Sequence, residues 1–257
     1  MALHMDKSRI AELLEPYLGP DASRLKPETL ANISTYIDIL QHWNARINLT
    51  AIRDEDEIVT RHFGESFFAA RHLFPREDRE GHGLSRADSA AERARALAPE
   101  GRENASLGPS RASDQRPTTN DAVRLADVGS GAGFPGIPIK LWAPVISLTL
   151  IESNHKKAAF LKEVVRTLTL TDVDIQNARA ESLIGSLFDI VTLRAVERFA
   201  EILPTAAGLV APNGRLALLI GTAQLPEAKT FSPNLAWSTP IPLPRTQSRV
   251  LALACKL

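Results

Sequence analysis

Cysteine is nearly absent from the 257-residue chain. The single Cys255 excludes an internal disulfide and any cysteine-based zinc cluster, and fits a reducing, cytoplasmic setting. Net charge is absent as well: thirty basic residues stand against thirty acidic ones, so nothing steers the whole molecule toward polyanions, and a nucleic-acid partner would need a local basic face. No apolar run approaches the roughly twenty residues that span a bilayer. The opening MALHMDKSRIAELLEPYL carries acidic residues and has no apolar h-region, so it does not read as a secretory signal. No histidine pair has metal-ligand spacing, and no metal is expected. Residues 77–121 lack aromatics and isoleucine and show no apolar period. Such a stretch buries too little surface to offset its ordering entropy and reads as a disordered insertion.

What remains is 44% hydrophobic overall, enough for one core with an appendage. Up to about residue 76 the apolar residues fall at helical spacing, with Ile10, Leu13 and Leu14, then Leu30, Ile33, Ile37, Leu40 and Trp43. Pro27 suits the first turn of a long helix, and two shorter helices are expected at 55–62 and 65–73. This is a helical N-terminal unit. From 122 to 257 strands and helices alternate: VRLADV, ISLTLIE, VDIQNA, FDIVTLRA and RLALLIG are strands, with FPGIPIKLW, KKAAFLKEVVRTL and AEILPTAAGLV as intervening helices. The fold class is α/β, an open, mostly parallel sheet wound on both faces. AWST and SRVLALACKL supply an antiparallel closing edge.

The segment LADVGSGAGFPG, 125–136, leaves a strand and enters a helix through Gly129, Gly131 and Gly133, residues that permit tight turns and close approach of a ligand. Its glycine spacing fits S-adenosylmethionine, yet GAGFPG also satisfies the dinucleotide fingerprint. Asp127 at the strand end would hold a methionine ammonium and repel a pyrophosphate. Pro135 and Pro138 remove helix-start N–H groups that a pyrophosphate would use. Both favour the sulfonium cofactor. Glu152, ending the second strand, is placed to accept ribose hydroxyls, although it equally reads as part of the next helix's N-cap region with Ser153 and Asn154. Ala180 and Glu181 follow strand three, where adenine contacts are expected.

Several segments taken together resemble one family: HWNARINLTAI, VTRHFGESF, LADVGSGAGFPGIPIK, LIESNHKKAAFL, NARAES, FDIVTLRAV and NGRLALLIG. Their order and spacing are similar to the bacterial glucose-inhibited division protein B family, the small-subunit ribosomal RNA guanine-N7 methyltransferases. The resemblance implies a Rossmann-like methyltransferase that uses S-adenosylmethionine to methylate guanine N7 in the 530 loop of the 16S rRNA decoding region. It places cofactor contacts on Gly129, Phe134, Ala180, Glu181 and Arg194. Ile220 stands where many members carry a lysine, Glu65 where an aspartate is usual, and the insertion after Phe74 is atypical.

Guanine N7 already offers an in-plane lone pair, so no general base is expected and orientation is the enzyme's task. Positive charge moves onto the imidazole ring, so Arg194 belongs on a carboxylate or phosphate rather than beside the base; it also reads as a structural ion pair at a strand end. Asn48 and His62 are candidate RNA-side or inter-domain contacts. Arg46, Arg53, Arg61, Arg71, Lys156 and Lys157 could meet phosphates, whereas Lys162 and Arg166 read as a solvated helix face. The partner is 16S rRNA or the small-subunit ribonucleoprotein. A nicotinamide-dependent oxidoreductase and a non-catalytic RNA-binding assembly factor are the alternatives.

Overall fold

The computed structural model describes residues 5–75, 122–196 and 198–257; the expected insertion at 77–121 lies outside the described residues. Helix α1 (Lys7–Leu18) buries Ile10, Leu13, Leu14, Tyr17 and Leu18, the spacing of one helical face. Helix α2 (Pro27–Asn44) begins on Pro27 and buries Ile33, Tyr36, Ile37 and Leu40. Asn44 then turns the chain: its Oδ1 accepts from the Leu49 and Thr50 amides and its Nδ2 donates to the Thr50 carbonyl.

The two short helices expected next are one continuous helical run. Helix α3 (Glu55–Glu57), whose first turn is capped by Asp54, leads directly into a π segment (Ile58–Gly64) and then α4 (Glu65–Leu73). Every residue from His62 to Ala70 is buried. A helix covered all round has no polar face, so amphipathic spacing could not disclose its continuity.

The sheet comprises β1 (Arg124–Val128), β2 (Ser147–Ile151), β3 (Val173–Gln176), β4 (Phe188–Arg194), β5 (Val210–Gly221), β6 (Leu235–Trp237), β7 (Ile241–Pro242) and β8 (Arg249–Lys256). The order is β3-β2-β1-β4-β5-β8-β6, with β7 also paired to β8. Pairings from β3 to β5 are parallel, and β8 runs antiparallel between β5 and β6. The four helices interleaved with the strands are α5 (Gly136–Trp142), α6 (His155–Thr167), α7 (Phe199–Leu209) and α8 (Leu225–Phe231). Strand five starts five residues earlier than expected, and α8 and β7 were not anticipated.

Side-chain parity divides the core. Leu125, Leu148, Leu150, Ile190, Ala217 and Leu219 pack with the N-terminal helices, while Ala126, Val128, Val191, Leu193, Leu216, Leu218 and Ile220 pack with α7 on the other face, as the two-residue period of strands requires. Ile220 is therefore a core side chain paired across to Val250. No described helix is long and apolar enough to cross a membrane.

Candidate active site

The strand order reverses direction at β1, whose neighbours are β2 and β4. In open α/β sheets the crevice beyond the carboxyl ends at such a point is where ligands bind. Gly129, Gly131 and Gly133 leave β1 at φ +68°, +55° and +82°. At Gly129 a Cβ would lie 2.7 Å from Val196 Cγ1, so glycine is required there by both conformation and space.

The amides of this loop are bonded within the protein. Gly129 and Ser130 donate to the Ile151 carbonyl at 2.9 and 3.1 Å, and Gly133 to that of Ser130 at 2.7 Å. Gly131 donates to Glu152 Oε2 at 2.9 Å, and Gly136, at the start of α5, to Asp127 Oδ2 at 3.2 Å. A dinucleotide pyrophosphate would need such amides free.

Asp127 corrects the sequence reading. Its carboxylate does not face the crevice: it is 1% exposed, and its second oxygen accepts from Thr192 Oγ1 at 2.8 Å. Thr192 is the in-register neighbour on β4. Burial pushes the Asp127 carboxyl up to about 6, against the opposing pull of the Thr192, Gly136 and Ser130 hydrogen bonds. This group ties the loop to the sheet and is not available to a methionine ammonium.

The crevice itself is a cavity of about 290 Å³ whose walls include Gly129, Glu152, Ala180, Glu181, Arg198 and Glu201. Of the expected cofactor residues, Gly129, Glu152, Ala180 and Glu181 meet there. Glu152 fits the N-cap reading, with Oε1 accepting the Asn154 amide at 2.7 Å where Asn154 caps α6, and its side chain also borders the cavity. Three carboxylates line these walls, Glu201 paired with Arg198 at 3.2 Å. The Arg179 and Arg198 guanidinium groups stand on the same walls, so the crevice is of mixed charge, with Glu152 and Glu181 as its carboxylates outside the Arg198 pair. Arg179, Arg198 and Glu201 were missed; Arg198, at φ +51°, gives no local signal in sequence.

Phe134 lies elsewhere. Its ring stacks with Tyr36 (5.3 Å, 7°) and His62 (4.7 Å, 16°) and meets the edge of Phe63, so only its main chain is free to serve a cofactor. Arg194, at the end of β4, is buried against the π segment. It donates from Nη1 to His62 Nδ1 (2.8 Å) and from Nη2 to the Arg61 carbonyl (2.7 Å) and Glu65 Oε2 (3.2 Å). Arg249 reaches the same Glu65 oxygen at 2.9 Å. Burial lowers the Arg194 guanidinium to about 10 even with Glu65 beside it. Arg194 thus sits on a carboxylate, and its Nε has no hydrogen-bond partner among the described residues.

His62 is an inter-element contact. A guanidinium can only donate, so Nδ1 accepts and Nε2 carries the proton toward Thr50 Oγ1 at 2.8 Å. Burial first, then Arg194, lower its pKa to about 2, and the ring is neutral. Asn48 is exposed and within 3.5 Å of Arg53. Arg46, Arg53, Arg61, Lys156, Lys162 and Arg166 are exposed, while Arg71 is half-buried against Asp21. Among the described residues no three His, Cys, Asp or Glu side chains come together to hold a metal ion.

Residues 29–80 and 113–244 match the family described as rRNA small subunit methyltransferase G. Among curated relatives of that name, one from Halorhodospira halophila is 32% identical over 95% of this chain and 95% of its own length. Another from Roseiflexus castenholzii is 32% identical over 91% of this chain and 86% of its own length. The crystal structure of ribosomal protein L11 methylase from Lactobacillus delbrueckii subsp. bulgaricus is similar at 16% identity and a TM-score of 0.45, covering 54% of this chain and 72% of that one. On the matched length and on these relatives, the chain belongs to the rRNA small subunit methyltransferase G family.

Proposed function

We propose that this enzyme methylates N7 of a guanine in the 530 loop of 16S rRNA, acting in the cytoplasm on the RNA or on the small-subunit particle. The enzyme is a methyltransferase, S-adenosylmethionine is its co-substrate, and small-subunit rRNA is the substrate that the family's name describes. The observation that carries the reading is the cavity at the β1–β4 switch, walled by Gly129, Ala180 and the carboxylates of Glu152 and Glu181. S-adenosylmethionine supplies an electrophilic methyl group on a sulfonium sulfur. Glu152 and Glu181 provide acceptors for its hydroxyl and amino groups and a negative field for its charge. Gly129 allows close approach of the main chain, and the Phe134 main chain bounds the loop.

The protein's remaining task is orientation, because N7 is nucleophilic without losing a proton. Proton removal by a general base is therefore not part of the chemistry, and no side chain is assigned that role. Holding Arg194 on Glu65 keeps its charge committed away from an imidazole ring that becomes cationic. The N7 edge of a paired guanine lies in a deep, narrow groove, so the target base is unpaired or drawn from its stack. The internally bonded loop amides disfavour a nicotinamide dinucleotide, whose pyrophosphate would need them free.

The test is a digest of 16S rRNA from cells with and without the protein, read by mass spectrometry. One 7-methylguanosine in the 530 loop is lost in its absence. Persistence of every such nucleoside would overturn the reading and leave the assembly-factor alternative.

A further inference from the structure

Tyr36 lies on α2, nearly a hundred residues from the glycine loop, yet its phenol donates to the Ala132 carbonyl at 2.5 Å. The residue is fully buried. Its ring is parallel to Phe134 and edge-on to Phe63, both at 5.3 Å. Gly133 makes room for it: a Cβ there would collide with Tyr36 Oη. Burial, with the Asp127 charge nearby, holds the phenol's pKa well above its ordinary value, so it remains a donor throughout the working pH range.

The bond meets the loop at a particular place. Ala132 follows Gly131, whose amide donates to Glu152 Oε2, and Glu152 borders the cavity. The Ala132–Gly133 peptide is thus held from the helical side by Tyr36 and the Ser130–Gly131 peptide from the cavity side by Glu152, with a single peptide between them. A buried carbonyl deprived of its donor is costly, and the chain around it shifts to find another.

We propose that Tyr36 is a positioning residue for the methyl donor, its phenol fixing the Ala132 peptide and, through Gly131, the Glu152 carboxylate that faces the cofactor. This inference rests on the cofactor reading given above.

The experiment compares the wild-type chain, Tyr36→Phe and Trp43→Phe. Trp43→Phe removes another bond made by α2, from Trp43 Nε1 to Glu163 Oε2 at 3.0 Å, which does not involve the loop. S-adenosylhomocysteine affinity is measured by calorimetry and Tm by thermal unfolding. Tyr36→Phe weakens the affinity about fivefold to tenfold, the scale of one buried hydrogen bond. In methylation assays it raises the KM for S-adenosylmethionine with kcat at saturation nearly unchanged. Trp43→Phe lowers Tm with wild-type affinity. Should Tyr36→Phe not fold, Phe134→Leu, which removes the ring that holds the phenol over Ala132, weakens the affinity in the same direction. Wild-type affinity in Tyr36→Phe, or in Phe134→Leu when that variant is the one tested, overturns the positioning role. Failure of the wild-type chain to bind S-adenosylhomocysteine overturns the cofactor reading itself, and the inference with it.

Discussion

Replacing Glu65 with alanine isolates the ion-pair cluster between the helical run and the sheet. Glu65 is 3% exposed, and its Oε2 takes a hydrogen bond from Arg194 and an ion-pair contact from Arg249. Arg194 is nearly as buried and pairs with no other carboxylate among the described residues. Removing one member of a buried pair leaves an uncompensated charge in low dielectric, a loss of about 3–5 kcal/mol. For a folded unit of this size each kcal/mol moves Tm by roughly 2–4 °C, so Glu65→Ala lowers Tm by about 10 °C. Both contacts fall on one oxygen, so Glu65→Gln keeps that acceptor while losing the charge; it drops by about half as much. The control is Glu12→Ala. Glu12 pairs with Arg9 at 2.7 Å, but both side chains are well exposed, and its loss leaves Tm close to that of the wild-type chain. Thermal and urea unfolding of the four proteins is the assay. A Glu65→Ala loss no larger than that of Glu12→Ala would refute the reasoning that burial, rather than pairing distance, sets the effect.

Asp127 gives a pH signature. Its folded pKa of about 6 lies above the ordinary aspartate value of 3.8, so its protonated form favours the fold. That stability is fully present below about pH 4 and is lost as pH rises through about 6, a difference of roughly 3 kcal/mol. Asp127→Asn flattens the Tm profile over this window; an unchanged slope contradicts the assignment. Lys140 is buried and donates from Nζ to the Pro144 and Ile146 carbonyls at 2.8 and 2.6 Å. Lys140→Met, measured by urea unfolding, loses about 1–3 kcal/mol by leaving two acceptors unpaired. Gly129→Ala meets both an unfavourable φ and Val196 Cγ1; calorimetry finds S-adenosylhomocysteine binding weakened at least about tenfold, the effect of roughly 1.4 kcal/mol of strain.

The strand-and-helix alternation was legible because period-two and period-3.6 patterns are local, and the glycine loop because its residues are contiguous. Gly129, Glu152, Ala180 and Glu181 sit at strand ends, so their convergence follows once the strands are parallel. Asp127 was misread for want of parity and register. Leu125 and Asp127 point to the same side of β1, toward the N-terminal helices, and the hydroxyl that receives the carboxylate comes from Thr192, a neighbour only after β1 and β4 align. Glu65 and Arg194, or Tyr36 and Ala132, are pairs separated by 129 and 96 residues. No single-chain pattern announces partners at that distance.

The glycine loop, with its amides already engaged by Ile151, Ser130, Glu152 and Asp127, has a thermodynamic consequence. Its conformational entropy is surrendered during folding, before any ligand arrives, so binding need not order it. Affinity and fold stability then draw on the same set of bonds. Substitutions that slacken the loop will show up twice, once as a lower melting temperature and once as a weaker ligand, with the second effect proportionate to the first.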